Sequence, residues 1–87
     1  MKDYFTIYTL LTCDYCKKAC ELLIEKNLPF LMVVTDKNQE FLDALKTELN
    51  HSTVPIVVKH CSDGTTHFIG GFDSLQQHLK DVEEKNG

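Results

Sequence analysis

Eighty-seven residues make room for one domain, residues 1–87, because a second would have no core of its own. The composition, 43% hydrophobic and 25% charged with a formal charge of −4, is that of an ordinary globular chain and gives no basic footprint for nucleic acid. No apolar run approaches the ~20 residues of a membrane span.

The first residues, Met1-Lys2-Asp3-Tyr4, carry an acid at once and lack the apolar stretch of a secretion signal. The expected location is therefore the cytoplasm, where thiols are kept reduced. Tyr4-Phe5-Thr6-Ile7-Tyr8-Thr9 is rich in aromatic and β-branched residues and reads as a strand. After the loop Leu10 to Thr12, the spacing of Tyr15, Ala19, Leu22 and Leu23 predicts a helix over 14–26. Asn27 tolerates the left-handed conformation that ends a helix, and Pro29 prevents continuation. Phe30-Leu31-Met32-Val33-Val34 is a continuous apolar run, the pattern of a strand buried on both faces. Strand, helix and strand in about 30 residues form a βαβ unit with an expected right-handed crossover.

A second helix is expected over 38–49, with Phe41, Leu42, Leu45 and Leu49 on one stripe and Asp36 or Asn38 as cap. Ile56-Val57-Val58 and Thr66-His67-Phe68-Ile69 flank Ser62-Asp63-Gly64, a strong hairpin signal. Gly70-Gly71 breaks the last strand. A helix over 74–83 follows, carrying Leu75, Leu79 and Val82, with a tail at Glu84-Lys85-Asn86-Gly87 expected to fray. The order β-α-β-α-β-β-α implies an α/β fold, a four-stranded mixed sheet flanked by three helices. That is the layout of the thioredoxin-like fold.

The chemistry is concentrated at Cys13-Asp14-Tyr15-Cys16. Cys13 falls where a loop enters a helix, and helix N-termini carry unpaired N–H groups and about half a positive charge, which favour a thiolate. Cys16, one turn on, can close a small disulfide ring with it. One thiol attacks a substrate disulfide and the other resolves the mixed disulfide. A structural zinc site would need a second close ligand pair. His51, His60, Cys61 and His67 supply none, and the neighbours His60 and Cys61 would point to opposite faces of a strand. Cys20 lies on the same helical face as Cys16 and is expected in the core, with a regulatory thiol as the sharper alternative. Cys61 is expected to be a free thiol.

Along nearly its whole length the chain resembles the glutaredoxins. The resemblance rests on Tyr8-Thr9 followed by Cys13-Asp14-Tyr15-Cys16, on Thr53-Val54-Pro55, and on Ile69-Gly70-Gly71-Phe72-Asp73-Ser74-Leu75. The compact length and the hairpin look most like small phage and bacterial members. The resemblance implies a dithiol glutaredoxin with Cys13 as nucleophile and Cys16 as resolving thiol. It implies a cis proline at Pro55 that exposes the backbone of Val54, beside Thr53, to the cysteinyl part of glutathione. It places Tyr15 along the ligand and the N–H groups of Phe72, Asp73 and Ser74, after the sharp turn at Gly71, around the γ-glutamyl carboxylate, with Asp73 facing the ligand's α-amino group. Without the family, Asp73 or Ser74 reads as a helix cap, and Pro55 as a cis or a trans proline alike.

Two departures stand out. Many members carry a lysine shortly before the first cysteine and an arginine or glutamine near Thr-Val-Pro, aimed at the glycine carboxylate of glutathione. Here those stretches read Leu10-Leu11 and His51-Ser52, which implies a lower affinity for glutathione. The family's usual proline after the first cysteine is Asp14. Its carboxylate opposes a thiolate next door while favouring the helix, so the expected dithiol is a stronger reductant.

The expected function is reduction of protein disulfides or glutathione mixed disulfides, with glutathione as reductant, no metal, and a monomeric protein. The resemblance to phage forms that serve ribonucleotide reductase makes that enzyme a candidate partner. Two alternatives stand beside it. One is a glutathione-assisted [2Fe–2S] module shared between two chains, as in some members that lack the active-site proline. The other is a thioredoxin-like carrier reduced by a flavoenzyme.

Overall fold

The computed structural model describes residues 3–86. Its elements are β1 (Tyr4–Thr9), α1 (Asp14–Glu25), β2 (Phe30–Val34), α2 (Gln39–Leu49), β3 (Ile56–His60), β4 (Thr66–Gly70) and α3 (Phe72–Asn86). The strands form one sheet in the order β2-β1-β3-β4. β1 runs parallel to β2 and antiparallel to β3, and β3 and β4 make an antiparallel hairpin. This is the expected thioredoxin-like fold.

Alternation along β1 divides the chain into two layers. Phe5 and Ile7 face one side together with Val57, which pairs with Ile7, and there they meet Ala19 and Leu23 of α1 and Leu75 and Leu79 of α3. Fully burying side chains of this size is worth about 1.5–3 kcal/mol each, so this cluster is the main core. Tyr4, Thr6 and Tyr8 face the other side. The Tyr8 ring tilts against Phe41 of α2 at 5.8 Å between centroids, and Tyr4 stacks on His60, its cross-strand partner, at 4.4 Å. His60 also shares a 2.7 Å hydrogen bond with Thr6 Oγ1. These contacts make His60 a packing residue of the sheet.

Local signals explain most of the element ends. Asn27 takes φ 57°, and the Asn27 and Leu28 N–H groups bond back to the carbonyls of Ile24 and Leu23, which stops α1. Asn50 ends α2 in the same conformation, at φ 52°. In the hairpin, Asp63 Oδ1 accepts the N–H and Oγ1–H of Thr65 at 2.9 and 2.6 Å, and these bonds hold its carboxyl below the usual range.

Four expectations need correction. β2 is an edge strand and is not buried on both faces: Leu31 and Met32 are 58% and 57% exposed, and Val34 is exposed as well. A run of apolar residues cannot distinguish a central strand from an edge strand whose outer flank lacks a neighbour. The apolar stripe of α2 is shallow, with Leu42 alone fully buried and Phe41 exposed. Asn38 occupies the cap position of α2 without a side-chain cap bond, and Asp36 is used elsewhere. Finally, β3, β4 and α3 run longer than expected. α3 begins at Phe72 and continues to Asn86, and Gly87 lies outside the described residues.

Candidate active site

Cys13 sits at the N-cap of α1 with an extended backbone, φ −93° and ψ 110°. Its Sγ accepts the N–H of Cys16 at 3.2 Å, the bond that a serine or aspartate cap would ordinarily accept. Cys13 is thus also the helix cap, and Asp14 and Tyr15 follow in the first turn, both exposed. The loop leading to it is pinned twice. Cys13 N–H bonds to the Leu10 carbonyl at 3.2 Å, and Leu11 N–H bonds to Asp36 Oδ1 at 2.8 Å from the β2–α2 loop. Just before that loop, the Thr9 carbonyl takes both the N–H and the hydroxyl of buried Thr35, each at 2.9 Å. Asp36 therefore positions the active-site loop, a role invisible in the sequence because its partner lies 25 residues away.

The two thiols have different environments. Cys13 is half-buried and reaches the Val54 carbonyl at 3.8 Å. Cys16 is 2% exposed, and its thiol is pushed up to about 12, first by burial and then by its hydrogen bond to Cys13. The Leu10 backbone pulls the other way. Burial also raises Cys20, with the Glu21 carboxylate adding to the effect. At neutral pH Cys16 is a protonated thiol inside the protein, with Cys13 outermost.

The peptide bond Val54–Pro55 is cis, so the Thr53-Val54-Pro55 segment presents its backbone toward Cys13. Between this segment and the start of α3 lies a cleft of about 490 Å³. Tyr15, Thr53, Val54, Pro55, Gly71, Phe72, Asp73 and Ser74 all line it. Tyr15 and Phe72 lean together across one wall at 5.9 Å, and Lys18 Nζ lies 5.0 Å from the Tyr15 ring. Asp73 and Ser74 do not cap α3, since that helix starts at Phe72 and Gly71 O accepts Leu75 N–H at 3.0 Å. They stand in its first turn, where N–H groups lack intrahelical partners and a carboxylate is favoured. Gly70 makes the turn possible: at φ +123° a Cβ would meet Ser74 Oγ at 2.8 Å.

His51 also lines the cleft. Its ring packs edge-on against Phe68 at 5.4 Å and its Nε2 lies 3.4 Å from Thr53 Oγ1. It occupies the region where the sequence lacks the family's arginine or glutamine. Among the described residues, no three His, Cys, Asp or Glu side chains converge in a way that would hold a metal ion. No helix there is long and apolar enough to cross a membrane.

A four-stranded thioredoxin-like fold with a Cys-x-x-Cys pair at the head of α1 defines a thiol–disulfide oxidoreductase. Residues 5–61 match the glutaredoxin family, and the chain belongs to it. It is 30% identical over 86 residues to a probable glutaredoxin of Acanthamoeba polyphaga mimivirus, covering 86% of this chain and 76% of the relative. Its fold is similar to that of a buckwheat glutaredoxin crystallised with glutathione, at TM-score 0.76 and 20% identity over 92% of this chain and 71% of that one. It is also similar to glutaredoxin 1 of Francisella tularensis in complex with cacodylate, at TM-score 0.71 and 24% identity over 94% and 98% of the two chains.

Proposed function

We propose that this glutaredoxin reduces protein disulfides and glutathione mixed disulfides with glutathione as its reductant. The observation that carries the reading is the cleft beside Cys13, which brings Thr53-Val54-Pro55 and the first turn of α3 to one ligand-sized space. An extended peptide laid along Val54 gains backbone hydrogen bonds as an added strand does, and a carboxylate at its far end meets the helix N-terminus. Glutathione has both features. The buckwheat relative, crystallised with glutathione, supports the same reading.

The chemistry follows from the two thiols. The Cys13 thiolate attacks a sulfur of the substrate disulfide, forming a mixed disulfide and expelling the other sulfur as a thiolate. That step removes both influences by which Cys13 holds Cys16 up, the hydrogen bond and the charge, leaving burial and the weaker push of Cys20. Cys16 therefore loses its proton more readily once Cys13 is bonded. It then attacks Cys13 Sγ, closes the Cys13–Cys16 disulfide and releases the second substrate thiol. Two glutathione molecules return the pair to the dithiol and leave as glutathione disulfide.

Disulfide reduction coupled to glutathione oxidation tests this on the parent, Cys13→Ser and Cys16→Ser. Cys13→Ser should abolish turnover with the fold intact, because the serine hydroxyl can still cap α1. Cys16→Ser should retain activity on glutathione mixed disulfides alone. Full activity in Cys13→Ser, or reduction driven by a flavoenzyme and not by glutathione, would sink the proposal.

A further inference from the structure

On the flank of α1 turned toward β2, away from the ligand cleft, a separate pocket of about 310 Å³ opens beneath Leu10 and Leu11. Three sulfur-bearing side chains, Cys16, Cys20 and Met32, line it. Cys20 Sγ lies 3.6 Å from Met32 Sδ, and Cys20 adds to the electrostatic pressure on Cys16. A thiol and a thioether on neighbouring elements thus share one pocket with a second thiol one turn earlier.

We propose that this pocket is a site for a monovalent soft metal ion, Cu(I), held by the Cys16 and Cys20 thiolates and the Met32 thioether. Residues at i and i+4 of a helix share one face, the spacing with which helical ligand pairs bridge a metal. An ion about 2.3 Å from each sulfur, the usual metal–thiolate length, would see Cys20 and Met32 at about 100° given their separation, close to a tetrahedral angle. The ligand set selects the metal. Thiolate with thioether favours Cu(I), whereas zinc takes thiolate, imidazole or carboxylate; Glu21 also lines the pocket, so it is the Met32 thioether that sets the preference for the softer ion. Lys17 and Glu21 line the same pocket with opposite charges, so the net negative charge left by two thiolates around one monovalent ion is balanced by solvent at the open side. Binding releases the two thiol protons to solvent and changes no oxidation state. The site departs from the expectation that the chain holds no metal, and it does not depend on the identity of the disulfide substrate.

The test is an anaerobic titration of the reduced full-length chain with Cu(I) against the chromophoric chelator bicinchoninate. It compares the parent with Cys13→Ser, Cys20→Ser and Met32→Leu, with circular dichroism to verify folding. The parent should take one Cu(I), and Cys13→Ser should bind as tightly. Cys20→Ser and Met32→Leu should each weaken binding by at least about tenfold, since even outer-shell changes at metal sites cost about 10–100-fold. Met32 is largely exposed, so its leucine variant should fold and keep disulfide-reductase activity. If Met32→Leu binds like the parent, or if Cys13→Ser loses the metal, copper sits in the Cys13–Cys16 pair or nowhere, and the proposal fails.

Discussion

Two adjacent glycines between β4 and α3 should respond in opposite ways to the same added methyl group. Gly70 holds φ +123°, a region that residues with a Cβ rarely adopt, and its Cβ would lie 2.8 Å from Ser74 Oγ and 2.9 Å from Ser74 Cβ. The backbone strain alone should cost about 1–3 kcal/mol. For a domain of this size that lowers the melting temperature by roughly 5–20 °C. Ser74 cannot easily retreat, because it belongs to the first turn of α3 beside buried Leu75. At Gly71 the backbone is unremarkable, and the added Cβ would meet only His51 Nε2 and Pro55 O, both at 3.7 Å, an ordinary contact. Gly71→Ala should therefore change stability by no more than about 0.5 kcal/mol. It should instead raise the KM for glutathione, because those two atoms border the cleft. Urea denaturation with glutathione-coupled turnover measures both effects. Equal stability of Gly70→Ala and the parent would refute the steric argument, and an unaltered KM in Gly71→Ala would refute the placement of the ligand.

Other consequences are as direct. Burial, the largest cause raising the Cys16 thiol, persists when Cys13 is bonded, so the thiolate needed for resolution stays scarce at neutral pH. Release of the second thiol from a Cys13 mixed disulfide should quicken about tenfold per pH unit from about pH 6 to pH 8, followed by stopped-flow; a flat profile would contradict the assignment of Cys16 as the buried, protonated partner. Asp14→Asn should make the dithiol more oxidising by roughly 5–20 mV, the equivalent of about 0.3–1 kcal/mol for one charge at a helix start, and equilibration against glutathione would show a shift of the wrong sign if the reasoning fails. Leu31→Thr on the exposed edge strand should alter stability by less than about 0.5 kcal/mol, whereas Leu42→Ala, which removes the only fully buried side chain of α2, should cost about 2–5 kcal/mol in the same denaturation experiment.

The features legible in the sequence were those with local causes. The spans of β1 and β2, the stop at Asn27 and the Asp63–Gly64 turn each depend on residues within a few positions of one another. Long-range placement was legible only where a family motif encoded it, as with Pro55 and the Gly71–Ser74 turn. The status of β2 was not legible, because an apolar run records which residues are present and not whether a neighbouring strand covers them. Asp36, like Asn38, reads as a helix cap because that is the commonest local use of such residues before a helix, yet it bonds to Leu11 across the fold. His51 was read as a departure from the family, and its position in the cleft follows from the αL turn at Asn50 that carries the chain back toward Pro55.

Asp14 gains a more specific meaning from its position. It is the first residue of α1, directly after the Cys13 cap. That is where proline is favoured in helices generally, because its fixed φ suits the first turn and its missing N–H is not needed there. An acid is favoured at the same place for a different reason, its charge facing the positive end of the helix. The replacement therefore conserves the helix start by electrostatics in place of backbone restriction. Proline would leave the thiol's surroundings neutral, whereas Asp14 places a carboxylate beside the Cys13 thiol. The structural function of the position is retained, and the redox balance of the pair is the property that the Asp14→Asn comparison measures.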